Sequence, residues 1–192
     1  MAVFRSIAAT LRRGYRRMFQ REVDAHTREA ADALRQVELF RFLSGGALHD
    51  LAEVVHRRRY RRDEYLYYEN DPGLGLYVVL HGAVRLLVED DGGGQREVRQ
   101  VTEHGFFGDL ALLGDFRRLE TAQAVTETDV LGFFTPDLKT LMKRNPGVGG
   151  EVALALARHL AARQVALIDE VAKDAGRVGA LRLLRGTAAR VP

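Results

Sequence analysis

The chain has 192 residues, no cysteine and a formal net charge of +3, with 46% hydrophobic and 29% charged residues. That length holds one medium domain with its own core plus appended helix, the composition is that of a folded soluble protein, and so mild a net charge does not by itself point to nucleic acid. The lack of cysteine excludes disulfides and thiolate metal sites and fits a reducing compartment. No apolar run approaches the length of a membrane span, and the N-terminus lacks the continuous apolar stretch of a secretory signal. The expected location is the cytoplasm, with peripheral membrane contact as the alternative.

Charge is concentrated at the two ends. Residues 1–21 hold six arginines (Arg5, Arg12, Arg13, Arg16, Arg17 and Arg21) and no acid, and residues 172–192 hold five cations against one anion. Within residues 3–19, Phe4, Ile7, Ala8, Leu11, Tyr15, Met18 and Phe19 recur at helical spacing with arginines on the other faces, which predicts a basic amphipathic helix. Three roles fit such a helix: packing its apolar stripe on the protein or on another subunit, lying on an anionic membrane or partner surface, or organellar targeting. The polar–apolar pattern continues through Val23, Ala30 and Leu34 into "VELFRFL". "SGGALHDLAEVVH" then reads as a helix capped by Ser44, with Leu48, Leu51, Ala52 and Val55 as its stripe.

From Tyr60 to Phe134 short apolar runs alternate with Gly, Asn and Asp clusters, the texture of an antiparallel all-β unit. "DDGGGQ" reads as a flexible hairpin tip. "HRRRYRR", residues 56–62, spreads its arginines over two faces of a strand with no aromatic platform, so a solvated edge strand protected by charge is preferred to a nucleic-acid patch. Helix returns at Thr135, read as a cap before Pro136 at the first helical position, with Leu138, Leu141 and Met142 as the stripe. Asn145–Pro146–Gly147 breaks it. A longer helix from about Val148 to Val171 carries Val152, Leu156, Leu160, Leu167 and Val171 along one side, interrupted by Arg163, which suits packing on the β unit, a homodimer seam, or both. Gly176 and Gly179 weaken helix beyond Val171. The division is thus a basic helical segment (1–36), a β unit (37–145), a C-terminal helix (146–175) and a basic tail (176–192).

The stretch "FFGDLALLGDFRRLETAQA", residues 106–124, reads as a turn that opens a one-turn helix and returns as a strand. With "LFRFLSGGALHDLAEVV" and "RRDEYLYYENDPGLGLYVVLHGAVRLL" before it, where Asp71 and Gly73 stand at a turn and Gly82 in a hairpin, it resembles the cyclic nucleotide-binding domain family, the β-roll of catabolite activator proteins and kinase regulatory subunits. The resemblance covers residues 37–171. Gly108-Asp109-Leu110-Ala111-Leu112-Leu113 falls on the family's Gly-Glu-Leu-Ala-Leu-Leu, and Arg118-Leu119-Glu120-Thr121-Ala122 on its Arg-x-Ala-Thr-Val. It implies an α+β fold: an antiparallel, jelly-roll-like β-roll of the eight-stranded type, flanked by N- and C-terminal helices. It also implies cyclic AMP or cyclic GMP as ligand, with Gly108, Asp109, Leu110, Ala111, Arg118, Glu120 and Thr121 at the site.

A cyclic phosphate calls for backbone N–H groups at a helix start, a small residue permitting close approach, and a guanidinium. Gly108 and Arg118 supply these, and Asp109 stands where a carboxylate would accept from the ribose 2′-hydroxyl. Two departures weaken the site. Asp109 is a methylene shorter than glutamate, about 1–1.5 Å of reach. Glu120 puts an anion where the family has alanine, and residues two apart on an extended segment share a face, so Arg118 and Glu120 point the same way. Two unit charges ~4 Å apart interact by ~4 kcal/mol at an effective dielectric near 20, so Glu120 is expected to repel the phosphate and to claim Arg118. Affinity for cyclic AMP or cyclic GMP is expected to be weak or absent. Two readings emerge: a cyclic-nucleotide sensor that signals through its terminal helices, or a nucleotide-free adaptor or oligomerisation unit that contacts a membrane or protein through residues 1–21.

No reaction is proposed by the sequence. The two serines, Ser6 and Ser44, lack a nucleophile-elbow setting, there is no Walker or Rossmann phosphate loop, and the six histidines are scattered without metal-ligand spacing. About twenty residues come after Val171, too few for a three-helix DNA-binding domain, so DNA is not the expected partner.

Overall fold

The computed structural model describes residues 25–90 and 92–187, with side chains through Leu183. The basic stretch 3–19, and with it the roles expected for residues 1–21, lies outside these residues. The described chain begins in helix α1 (25–36), passes a 3-10 turn at Glu38–Phe40 that buries Leu39 and Phe40, and enters helix α2 (Gly45–Ala52). Ser44 caps α2 as expected, its hydroxyl accepting from the Ala47 N–H at 3.2 Å. The helix stops short of the expected His56, because His56 already pairs with Gly132 as the first residue of a strand.

Eight strands come next: β1 (His56–Tyr60), β2 (Tyr65–Tyr67), β3 (Gly75–His81), β4 (Ala83–Glu89), β5 (Gln95–Thr102), β6 (Phe106–Phe107), β7 (Thr121–Ala124) and β8 (Thr128–Phe134). They form two four-stranded antiparallel sheets, ordered β1-β8-β3-β6 and β2-β7-β4-β5. With helices at both ends this is the expected α+β roll. Strand β3, "GLYVVLH", does not alternate because both of its faces are covered. Leu76, Val78 and Leu80 pack with Phe40, Leu48, Leu51, Val152 and Leu156 of the helical layer. Tyr77 and Val79 face the second sheet, clustering with its Val84, Leu86 and Val101 and with Phe107 of β6 beside them. Period two thus divides one apolar run between two cores.

The "DDGGGQ" segment joins β4 to β5 as a hairpin tip, with the Asp90 carboxylate accepting from the Gly92 and Gly94 amides at 3.0 Å each. Helix α3 (Thr135–Arg144) buries Leu138 and Leu141, but Met142 is exposed rather than part of the stripe. Its cap residue is Phe134, not Thr135, and Asp137 accepts from the Phe134 N–H at 3.0 Å. Thr135, the first helical residue, instead donates its hydroxyl to the Ala111 carbonyl at 3.1 Å. Helix α4 (Pro146–Thr187) buries Val152 and Leu156 against the roll, but Leu167 is 64% exposed, so the expected stripe is used for packing only in its first turns. Gly176 breaks α4 with φ 68°, ψ 159°; the residues after it, expected as a tail, resume helix as far as Thr187, and Gly179 does not interrupt them.

Strand β1 lies at a sheet edge, as its arginines suggest, yet two of them are not merely solvated. The register sets Arg59 opposite Asp129, and period two puts Arg57 on the same face. Arg59 donates to both Asp129 oxygens at 2.6 and 3.0 Å and Arg57 adds a bond of 2.8 Å, while Arg57 also reaches Glu29 of α1 at 3.0 Å. The hydrogen bonds from Arg59, then those from Arg57, hold the Asp129 carboxyl down to about 2 against an ordinary 3.8, with burial opposing them. A depressed carboxylate contributes stability above its unfolded pKa and loses it as pH falls through the folded one. The urea midpoint of the wild type is therefore expected to drop more steeply from pH 3.8 toward pH 2 than that of Asp129→Asn. Parallel profiles would show that the arginine pair does not hold Asp129.

Candidate functional site

Gly108 follows β6 in the left-handed region (φ 75°, ψ 17°) and starts a 3-10 turn at Asp109–Leu112. Its missing side chain has a specific consequence: a Cβ there would stand 2.3 Å from Nη1 of Arg118. The glycine therefore makes room for a guanidinium as well as for the turn. Across the turn, Gly73 is packed so tightly that a Cβ would meet Ala111 Cβ and the Phe116 carbonyl at 2.4 Å each, which locks the β2–β3 connection onto this segment.

Arg118 is only 4% exposed. Its Nη1 donates to the Gly75 carbonyl at 2.8 Å and the Gly108 carbonyl at 3.2 Å, its Cζ lies 4.1 Å over the centre of the Tyr67 ring, and its buried Nε has no hydrogen-bond partner. Glu120 lines the same cavity, as expected, but does not take Arg118: no ion pair joins them among the described residues. Its Oε1 accepts from the Tyr67 hydroxyl at 3.0 Å instead. Tyr67 thus holds the cation at its face and the anion at its hydroxyl. Burial, and then the charge of Glu120, push the Tyr67 hydroxyl well above the ordinary tyrosine range, so it stays a proton donor.

Asp109 turns toward α4. Its side chain is 7% exposed, and its two oxygens lie 3.1 and 3.0 Å from Nη1 of Arg163, with Nε2 of His159 3.5 Å away. His159 and Arg163 are four residues apart and so share a helix face. Burial lowers the His159 pKa from its ordinary value, opposed by Asp109, and the ring lies edge-on to Phe106 at 4.9 Å.

Around these groups lies a cavity of about 230 Å³ whose wall carries Arg99, Arg117, Arg118 and Arg163 against Asp109 and Glu120, over Leu86, Phe107 and Ala111. Gly108, Asp109, Leu110, Ala111, Arg118 and Glu120 all line it, so the turn and the strand after it do bring these expected residues together. Thr121 is not on that wall; it is buried, and its hydroxyl accepts from the Glu69 amide at 2.9 Å. Tyr67, His159 and Arg163 were not expected at the site. Arg163 had left one signal, a cation interrupting the apolar side of α4. Among the described residues no group of His, Asp or Glu gathers to hold a metal ion.

A roll of two antiparallel sheets flanked by helices, with a glycine-led 3-10 turn opposite a buried arginine, defines the class of helix-flanked β-roll domains. Residues 57–145 match the family model of the cyclic nucleotide-binding domain. The chain is 36% identical over 112 residues to a cyclic AMP receptor protein of Thermus thermophilus, a match covering 58% of this chain and 52% of that one. It is 28% identical over 116 residues to a cAMP-dependent protein kinase regulatory subunit of Colletotrichum orbiculare, covering 60% and 29%. The N-terminal domain of a transcriptional regulator from Streptomyces coelicolor superimposes with a TM-score of 0.64 at 29% identity, covering 68% of this chain and 94% of that one. Over residues 57–145 the chain thus matches the cyclic nucleotide-binding domain family, and it spans about half or less of these two curated relatives' length.

Substituting Gly108 tests the cradle. Gly108→Ala must adopt a left-handed conformation that costs roughly 1–2 kcal/mol and must also displace the guanidinium. A loss of about 2 kcal/mol or more in urea unfolding is expected; a change within about 0.5 kcal/mol would contradict the geometry.

Proposed function

We propose that this chain is a non-catalytic regulatory module whose cavity is a modified cyclic-nucleotide site with weak affinity for cyclic AMP and cyclic GMP. The observation that carries the reading is the 3.0 Å bond from Tyr67 to Glu120, which fixes a carboxylate in the wall of the cavity that also holds Arg118. An entering cyclic phosphate must meet that carboxylate, and Arg118 must leave two carbonyls to greet it. Both effects lower affinity. The family match and the likeness to a cyclic AMP receptor protein support the ligand class.

A second reading, a nucleotide-free adaptor or homodimer, has one observation in its favour. Along α4, Leu154, Val165, Leu167, Val178 and Leu181 are large apolar side chains left exposed, which a second copy or a protein partner would cover. Membrane contact through residues 1–21 belongs to this reading; no described helix is long and apolar enough to cross a membrane.

Isothermal titration with cyclic AMP and cyclic GMP tests the first reading. The wild type is expected to bind more weakly than about 100 μM, and Glu120→Ala at least about tenfold more tightly, a gain of ~1.4 kcal/mol. Low-micromolar binding by the wild type would overturn the weak-site proposal, and an unchanged Glu120→Ala would remove Glu120 as its cause. Light scattering tests the second: a homodimer predicts the mass of two chains, and the mass of one chain refutes it.

A further inference from the structure

The sugar-reading position of this site is engaged from within the chain. Asp109 is where a carboxylate would accept from a ribose 2′-hydroxyl, a role that rests on the cyclic-nucleotide reading above. Yet both of its oxygens are met by Nη1 of Arg163, the His159 ring lies 3.5 Å from one of them without a hydrogen bond, and only 7% of the side chain remains exposed. Both partners come from α4. Asp109 also sits one methylene nearer its backbone than a glutamate would, so it cannot extend further into the cavity it lines without leaving Arg163.

We propose that Arg163 clamps α4 to Asp109 and so acts as a specificity-determining residue: it takes the sugar reader out of play and leaves a cavity that selects the anion without distinguishing ribose from deoxyribose. A hydrogen bond to a free carboxylate is a charged one and discriminates strongly against a ligand lacking the hydroxyl. A carboxylate whose charge is already met by a guanidinium gains less from a further donor than a free one does. The same clamp fixes the middle of α4. Beyond it, residues 161–167 are exposed at every position, so no apolar packing holds that stretch to the roll.

Arg163 is 56% exposed, so Arg163→Gln disturbs little besides the pair. Two readouts separate the clamp from the nucleotide. Without ligand, amide hydrogen exchange over residues 160–171 is expected to be about tenfold faster in Arg163→Gln than in the wild type, and equally so in Asp109→Asn, because one contact is lost in both. Unchanged exchange would show that there is no clamp. With ligand, NMR titration of the wild type with cyclic AMP and 2′-deoxy cyclic AMP is expected to give equal affinities, and Arg163→Gln a preference of about tenfold for the ribose form. A wild type that already prefers ribose, or a variant that binds both alike, overturns the specificity claim. Faster exchange with no resonance moved by either nucleotide, in either form, leaves the clamp standing but overturns the nucleotide reading and, with it, Asp109 as a sugar reader.

Discussion

The guanidinium of Arg118 is the constraint around which this region is arranged. Arginine stays charged at any physiological pH, and burying a charge is costly unless hydrogen bonds and opposite charge offset it. Here the offset comes from three parts of the chain: the Gly75 carbonyl at the start of β3, the Gly108 carbonyl after β6, and the face of Tyr67 at the end of β2. Each fixes something else. Gly108 must lack a side chain, Tyr67 must lie flat beneath the cation, and the turn at Asp109–Leu112 must begin where the guanidinium leaves space. The partnerless Nε is what that accommodation leaves unmet.

Charge at the cavity is paired outward in every direction. Glu120 is held by Tyr67 of the second sheet, Asp109 by Arg163 of α4, Arg99 by the Phe106 carbonyl at 2.9 Å, and Arg117 by the Asn70 carbonyl at 2.6 Å. Thr135 ties the start of α3 to the same turn through the Ala111 carbonyl. A ligand that draws Arg118 or Asp109 toward itself must therefore loosen a contact to another element. Such coupling between the cavity and neighbouring elements is what the proposed regulatory role requires.

The roll was legible because its signals are local. Short apolar runs, Gly and Asp turns and the "GDLALL" turn marked strands, hairpins and the cradle, and Gly108, Asp109 and Arg118 were picked out by the resemblance of their stretch to the family's motif. The rest depends on pairings distant in sequence. Tyr67 reaches Glu120 because β2 pairs with β7, setting Tyr67 against Ala122. Arg163 reaches Asp109 only after α4 has packed Val152 and Leu156 on the roll. Without those pairings Glu120 had no visible partner except Arg118, which is why the expected ion pair proved to be two separate contacts on one tyrosine. The exposure of Leu167 was hidden for a related reason: helical periodicity shows which face is apolar, not how far the neighbouring layer extends.

Whether the Arg118 guanidinium is captive can be read directly from its Nε–H signal in a ¹H–¹⁵N spectrum, assigned by its loss in Arg118→Ala. A proton buried beside Tyr67, away from water, is expected to give a resolved signal that exchanges slowly with solvent, stays in place at micromolar cyclic AMP and shifts only as millimolar nucleotide fills the weak site. A signal lost to rapid exchange, or one that moves at micromolar nucleotide, would show that Arg118 is free to meet an anion, and the picture of a self-occupied cradle would be wrong.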